Sequence, residues 1–78
     1  MKSYTIGRNY PVDIDVPDEY VSNLHARLTQ DDDGQVWVED LGSTNGTFIN
    51  GHTVWKLTRI YPGDTLTVGR TDIPWKIQ

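Results

Sequence analysis

Residues 40–51 read DLGSTNGTFING. Twelve positions hold three glycines, two asparagines, two threonines and a serine. Two Asn-Gly pairs, Asn45-Gly46 and Asn50-Gly51, stand three residues apart. Asn-Gly is the strongest short hairpin signal, because both residues accept the positive φ of a type I′ turn. The second pair is flanked by short alternating runs, residues 47–49 and 52–55, and reads as that turn. The first pair sits among small hydroxyl and amide side chains and reads as a loop that presents polar groups.

Outward from this stretch the same grammar continues. Period-two alternation recurs in short runs, and no segment keeps a helical period over three turns. Residues 3–8 put Tyr4 and Ile6 on one face; residues 13–16 pair Ile14 with Val16. Residues 24–29 predict Leu24, Ala26 and Leu28 inward, with His25, Arg27 and Thr29 on the other face. Residues 35–40 turn Val36 and Val38 inward, residues 65–68 Leu66 and Val68, and residues 73–77 align Ile73, Trp75 and Ile77. Between them, Asp31-Asp32-Asp33-Gly34 reads as a hairpin tip and Pro62-Gly63-Asp64 as a tight turn. Pro74 cannot donate to a ladder and places its strand at a sheet edge. Short strands at this spacing predict an all-β fold, a small two-sheet antiparallel β-sandwich or a barrel.

With 78 residues the chain is read as one domain, 1–78, of a size that buries roughly 60% of its unfolded surface. It has no cysteine, hence neither disulfides nor a zinc–thiolate site. No apolar run approaches the length of a membrane span, and no signal-peptide pattern opens the chain. The net charge of −4 argues against general nucleic-acid binding, which needs clustered Lys and Arg. A hydrolytic triad can be drawn from Ser22 or Ser43, His25 or His52 and an aspartate, but nothing resembles a nucleophile elbow. Residues 31–33 lack the alternation and distal glutamate of a calcium loop. No catalytic residue, metal ligand or cofactor motif is assigned.

What remains is a scattered polar set. Arg8 follows Gly7; Ser22 and Asn23 precede a strand; Ser43, Thr44 and Asn45 lie in the quoted loop. Arg offers a planar fork of donors suited to phosphate. Ser and Thr hydroxyls and the amides of a Gly-rich turn add further donors, and Asn both donates and accepts, as a strand neighbour does. Loops at one end of a sandwich would bring these groups together.

Their order along the chain decides the reading. Gly7-Arg8, Ser22-Asn23-Leu24-His25, residues 41–47, Asn50-Gly51, Pro62-Gly63-Asp64 and Val68-Gly69 together resemble the forkhead-associated (FHA) domain, from about Tyr4 to the last strand. That family is a two-sheet β-sandwich among the phospho-motif readers, and its ligand is phosphothreonine in partner proteins. The resemblance implies that Arg8 grips the phosphate and that Ser22 donates its hydroxyl to it. Asn23 stands where many relatives carry Arg or Lys and donates to phosphate or peptide. Thr44 supplies a second hydroxyl or backbone contact, and Asn45 binds the peptide main chain. His25 is implied as a structural brace, Gly7 and Gly46 as backbone necessities, and Asn50-Gly51 as the hairpin turn. Tyr20 and Arg70 lie in the regions that set selectivity.

The resemblance thus implies a non-enzymatic module that binds a phosphothreonine-containing protein or peptide downstream of Ser/Thr kinases. A monomer is the default expectation for such a module, a cytoplasmic site is expected from the absence of a signal and from where kinases act, and charge and hydropathy predict neither nucleic acid nor membrane as a partner. The chain departs from the family's common pattern in starting at the Gly-Arg strand, without the preceding strand that pairs with the last one. It is expected either as a minimal version or with a terminal strand left out, with residues 73–77 at an edge guarded by Pro74 and Lys76. The competing reading is a scaffold domain that uses the same fold without phosphate, which Arg8→Ala and phosphatase treatment would distinguish.

Overall fold

The computed structural model describes residues 1–76. Among these, nine strands form two sheets: β1 (Lys2–Gly7), β2 (Ile14–Asp15), β3 (Ala26–Gln30), β4 (Val36–Asp40), β5 (Thr47–Ile49), β6 (His52–Thr53), β7 (Thr58–Ile60), β8 (Leu66–Val68) and β9 (Thr71–Ile73). One sheet runs β2-β1-β3-β4-β7 and the other β6-β5-β8-β9. The expected β-sandwich is present. All pairings are antiparallel except β1 with β2, where Ile6 faces Ile14 in parallel.

The core lies between the sheets. Ile6, Ala26, Leu28, Val38 and Ile60 come from the first, and Ile49, Leu66, Val68 and Ile73 from the second. Burying a Leu or Ile completely is worth about 1.5–3 kcal/mol, so the short alternating runs carry most of the stability.

The turns follow their residue chemistry. The hairpin between β3 and β4 closes through the Gly34 amide to the Asp31 carbonyl, with Gly34 at φ 81°. The Asp31 carboxylate accepts the Asp33 and Gln35 amides and the Trp37 indole N–H. The β5–β6 turn has Asn50 at φ 52° and Gly51 at φ 81°, both positive as a type I′ turn requires. Pro62-Gly63 occupies the centre of a turn closed by the Asp64 amide to the Tyr61 carbonyl, and Gly63 at φ 94° makes it type II.

Three expectations change, and one strand, β7, lies outside them. Strand β3 starts at Ala26, so Leu24 points outward at 41% exposure and His25 is fully buried, the reverse of the alternation. The ring turns inward because it bridges two backbone groups, described below. Residues 13–16 keep only two strand residues. Strand β7 escapes a period-two reading because Ile60 alone is buried in it, while the adjacent Leu57 is exposed. The last expected strand begins earlier, at Thr71, and stops before Pro74; Ile77 lies outside the described residues. Strand β9 is at a sheet edge, as expected, but Pro74 follows the strand instead of lying within it.

Two ends of the sandwich are chemically distinct. At one, Gly7 and Arg8 leave β1, His25 enters β3, Leu41 leaves β4, and Gly46 and Gly69 flank the β5–β8 pair. At the other lie the β3–β4 hairpin, the β5–β6 turn and the β7–β8 turn.

Candidate functional site

The polar set converges at the first end. Residues 17–25 pass close beside the end of β1, and Gly7 is what permits it: a Cβ there would fall 1.8 Å from the Asn23 carbonyl oxygen. The Arg8 amide donates to the Ser22 carbonyl at 3.2 Å, and its side-chain Nε to the Val21 carbonyl at 3.0 Å. The guanidinium is therefore held by its inner nitrogen. Among the described residues no acceptor takes its two terminal nitrogens, and neither is a buried atom left without a partner.

His25 links this loop to the second sheet. Its Nδ1 accepts the Ser22 amide at 3.0 Å and its Nε2 meets the Gly46 carbonyl at 2.8 Å. An Nδ1 that accepts leaves the ring proton on Nε2, so the ring donates to Gly46. The Gly69 amide adds a bond to the same carbonyl at 3.3 Å.

Residues 41–46 are shaped from beneath by Asp40. Its carboxylate accepts the Gly42 and Ser43 amides, the Ser43 hydroxyl at 2.5 Å and the Thr47 hydroxyl at 2.7 Å. Burial pushes the Asp40 carboxyl upward, but the Ser43 and Thr47 hydroxyls and the two amides outweigh it, holding the carboxyl below its ordinary value. Ser43 also accepts the Gly46 amide, so its hydroxyl is committed inside the loop. Thr47 is fully buried and satisfied.

Two more bonds join this loop to residues 17–25. The Thr44 amide donates to Ser22 Oγ at 3.1 Å, and Asn45 Nδ2 to the Tyr20 carbonyl at 2.9 Å. Ser22 Oγ accepts here, so its own hydrogen is left for an outside acceptor. The Thr44 hydroxyl and the exposed Asn23 amide have no hydrogen-bond partner among the described residues, and Asn45 keeps its amide oxygen as a free acceptor.

Arg8, Ser22, Asn23, Thr44 and Asn45 thus share one rim. Tyr20 and Arg70 close its flank, with the Arg70 guanidinium 4.1 Å from the Tyr20 ring centroid, a stacked cation–π contact. Arg27 is not part of the rim; it pairs across strands with Glu39 at 2.9 Å. Asn50 and Gly51 lie at the opposite end, where Asn50 bonds Asp64 and the Thr65 amide. The sequence reading gave Asp40 no role, and it gave neither Asp18 nor Gly69 the part each plays in shaping the rim. Asp40 carried a signal, an aspartate two and three residues ahead of a Gly-Ser pair, which is the spacing of an Asx turn.

The arrangement is a set of donors, unpartnered among the described residues, beside the Arg8 guanidinium, with Arg70 on the flank, in a chain of net charge −4. It suits an anion with several oxygens, joined to something that offers a backbone-like edge to Asn45.

The FHA domain family model matches residues 4–69. FhaB of Mycobacterium tuberculosis is 41% identical over 69 residues, covering 87% of this chain and 43% of FhaB, so the chain spans less than half of that relative. The FHA domain of CT664 from Chlamydia trachomatis superposes with a TM-score of 0.85 at 30% identity, over 91% of this chain and 72% of that one. The N-terminal FHA domain of Saccharomyces cerevisiae Rad53p, solved with a phosphothreonine peptide, superposes with a TM-score of 0.78 at 35% identity, over 87% and 56%. Matched by its sequence from β1 to the β8–β9 turn and by its fold, the chain belongs to the FHA domain family.

Proposed function

We propose that the chain is a phosphothreonine-dependent protein interaction module, acting downstream of Ser/Thr kinases and without catalysis of its own. The observation that carries this is the state of Arg8. Its Nε is tied to Val21 and its amide to the Ser22 carbonyl, while its terminal nitrogens have no acceptor among the described residues and the Ser22 hydroxyl retains a free hydrogen. A guanidinium anchored in this way has lost much of its rotamer freedom before binding, which lowers the cost of gripping a planar set of oxygens. In this reading Arg8, Ser22 and Thr44 receive the phosphate, Asn23 adds a donor, and Asn45 accepts from the peptide main chain. Tyr20 and Arg70 contact the residues that follow. The phosphothreonine peptide held by the Rad53p domain supports the ligand class.

A phosphothreonine carries nearly two negative charges and three acceptor oxygens, and charge-assisted bonds to it are about twice as strong as neutral ones. The test is a titration against a degenerate phosphothreonine peptide library, with phosphoserine and unphosphorylated libraries as controls, repeated with Arg8→Ala. Selective binding that disappears with Arg8→Ala is expected. Binding indifferent to the phosphate would replace this reading with a scaffold domain.

A further inference from the structure

Residues 18–22, DEYVS, have no strand or helix, yet they aim much of the rim. The Tyr20 carbonyl receives Asn45 Nδ2, the Val21 carbonyl Arg8 Nε, and the Ser22 carbonyl the Arg8 amide. A short irregular segment that orients side chains must itself be held. Val21, fully packed into the core, secures one point.

The other point is Asp18. Its Oδ1 accepts the Tyr20 amide at 2.8 Å. Its Oδ2 accepts the Arg70 amide at 2.9 Å, in the β8–β9 turn, and the Thr71 hydroxyl at 2.7 Å, at the start of β9. Its carbonyl accepts the Val21 amide at 2.9 Å. The two segments approach so closely because residue 69 is glycine: a Cβ there would sit 3.0 Å from the Tyr20 carbonyl oxygen and 2.9 Å from Val21 Cγ2. The Thr71 hydroxyl, then the Tyr20 and Arg70 amides, hold the Asp18 carboxyl below its ordinary value, so it is anionic at neutral pH.

We propose that Asp18 is a positioning residue of the binding rim: without touching ligand, it ties residues 18–22 to the β8–β9 turn and so aims Arg8 and Asn45 through the carbonyls they bind. It also sets the height of Arg70 over Tyr20. An acidic side chain beside a phosphate site would by itself repel ligand; here both oxygens are spent inward on three donors. The inference rests on reading the rim as a phosphopeptide site.

The test has one arm that needs no ligand. In Asp18→Asn one acceptor oxygen becomes a donor, and Thr71→Val removes one tie alone. Exchange of the Arg8 Nε–H and Asn45 Nδ2 protons with water is measured by NMR, with the Leu28 and Val38 amides as references. Local opening is read by such exchange, and Asp18→Asn is expected to speed it about tenfold or more at both side chains while the core amides hold, with Thr71→Val intermediate. In the second arm, affinity for a phosphothreonine peptide selected by the wild-type domain falls about tenfold in Asp18→Asn. Because coupled residues are non-additive, that fall shrinks to about threefold or less in an Asn45→Ala background. Unchanged exchange at Arg8 and Asn45 overturns the proposal, as does a strictly additive loss. A wild-type domain that binds no phosphothreonine peptide would refute the proposed function instead, and the exchange arm would still decide the role of Asp18.

Discussion

The two Asn-Gly pairs are the same dipeptide put to two uses. Asn50 takes positive φ with Gly51, and the pair turns one strand back on another. Its side chain then reaches the next turn, bonding Asp64 and the Thr65 amide. In the first pair only Gly46 has positive φ. Asn45 spends one N–H on the Tyr20 carbonyl and keeps its oxygen outward. The Gly46 carbonyl is the point where His25 of one sheet meets the other. Turn propensity is therefore shared, and the neighbours decide the role. Asn50 is surrounded by groups that close on one another; Asn45 is surrounded by groups that leave something open.

If that contrast is sound, substitutions at the two ends separate affinity from stability. The largest effect is expected from Arg8→Ala, which removes the guanidinium placed beside Ser22 in the rim. Losing charge-assisted bonds to a phosphate costs about 3 kcal/mol or more, so affinity falls roughly a hundredfold or further. Calorimetry of the peptide complex checks this, and thermal melting should show a nearly unchanged fold. A comparable loss of binding in Asn50→Ala would break the comparison outright.

Next come the glycines. Gly46→Ala places a Cβ in the left-handed region and 2.9 Å from the Phe48 ring, whereas Gly51→Ala meets nothing within 4 Å. The left-handed penalty is about 1–2 kcal/mol for either, and crowding adds about 1 kcal/mol or more to Gly46→Ala alone. Denaturant titration should rank them in that order. Equal losses would mean that Phe48 swings away freely.

Smaller still are the asparagines. Asn45→Ala should weaken peptide binding about tenfold, the scale of one or two hydrogen bonds, with little loss of stability. Asn50→Ala should do the opposite, costing about 1 kcal/mol of stability with affinity intact, since it forfeits a positive-φ former and the bond to the Thr65 amide.

The weakest effect is in acid. The Tyr61 amide, then the Asn50 side chain, hold the Asp64 carboxyl below its ordinary value of 3.8. A depressed carboxyl stabilises the fold above its unfolded pKa, and that contribution is lost as pH falls through the lower folded value. Asp18, Asp31 and Asp40 are depressed too, so stability should be level from neutral pH to about 5 and fall below about 4. Asp64→Asn should flatten part of that fall. Peptide binding should weaken earlier, near pH 6, where the phosphate takes up its second proton. A single shared midpoint for both would show that the rim and the turns are not separate.

Much of this was legible because the relevant chemistry is local. Asn50-Gly51, Pro62-Gly63 and Asp31 to Gly34 each specify a turn within four residues, and the alternation in β4 and β8 names its buried face. The FHA motif order placed Arg8, Ser22, Thr44 and Asn45 in one reading, and their loops do meet. What escaped depends on partners distant in sequence. His25 breaks the alternation of its run because its ring bonds Gly46, 21 residues on. Strand β7 has one buried residue and borrows its order from β4. Asp18 reads as one acidic residue among 11; the Tyr20 amide is a local donor, but only the approach of the second sheet brings the Arg70 amide and the Thr71 hydroxyl to it.

That last contact spans 52 positions, and it implies a sequence of events. Long-range pairings form late, because closing a long loop costs entropy before any contact rewards it. During synthesis, the residues that supply Arg8, Ser22 and Asn45 all leave the ribosome before Arg70 and Thr71 do. Until then the rim has its side chains but not its anchor. Recognition would reach full strength only once β9 is in place, so that a chain still lacking it competes poorly for the ligands of neighbours that already have it.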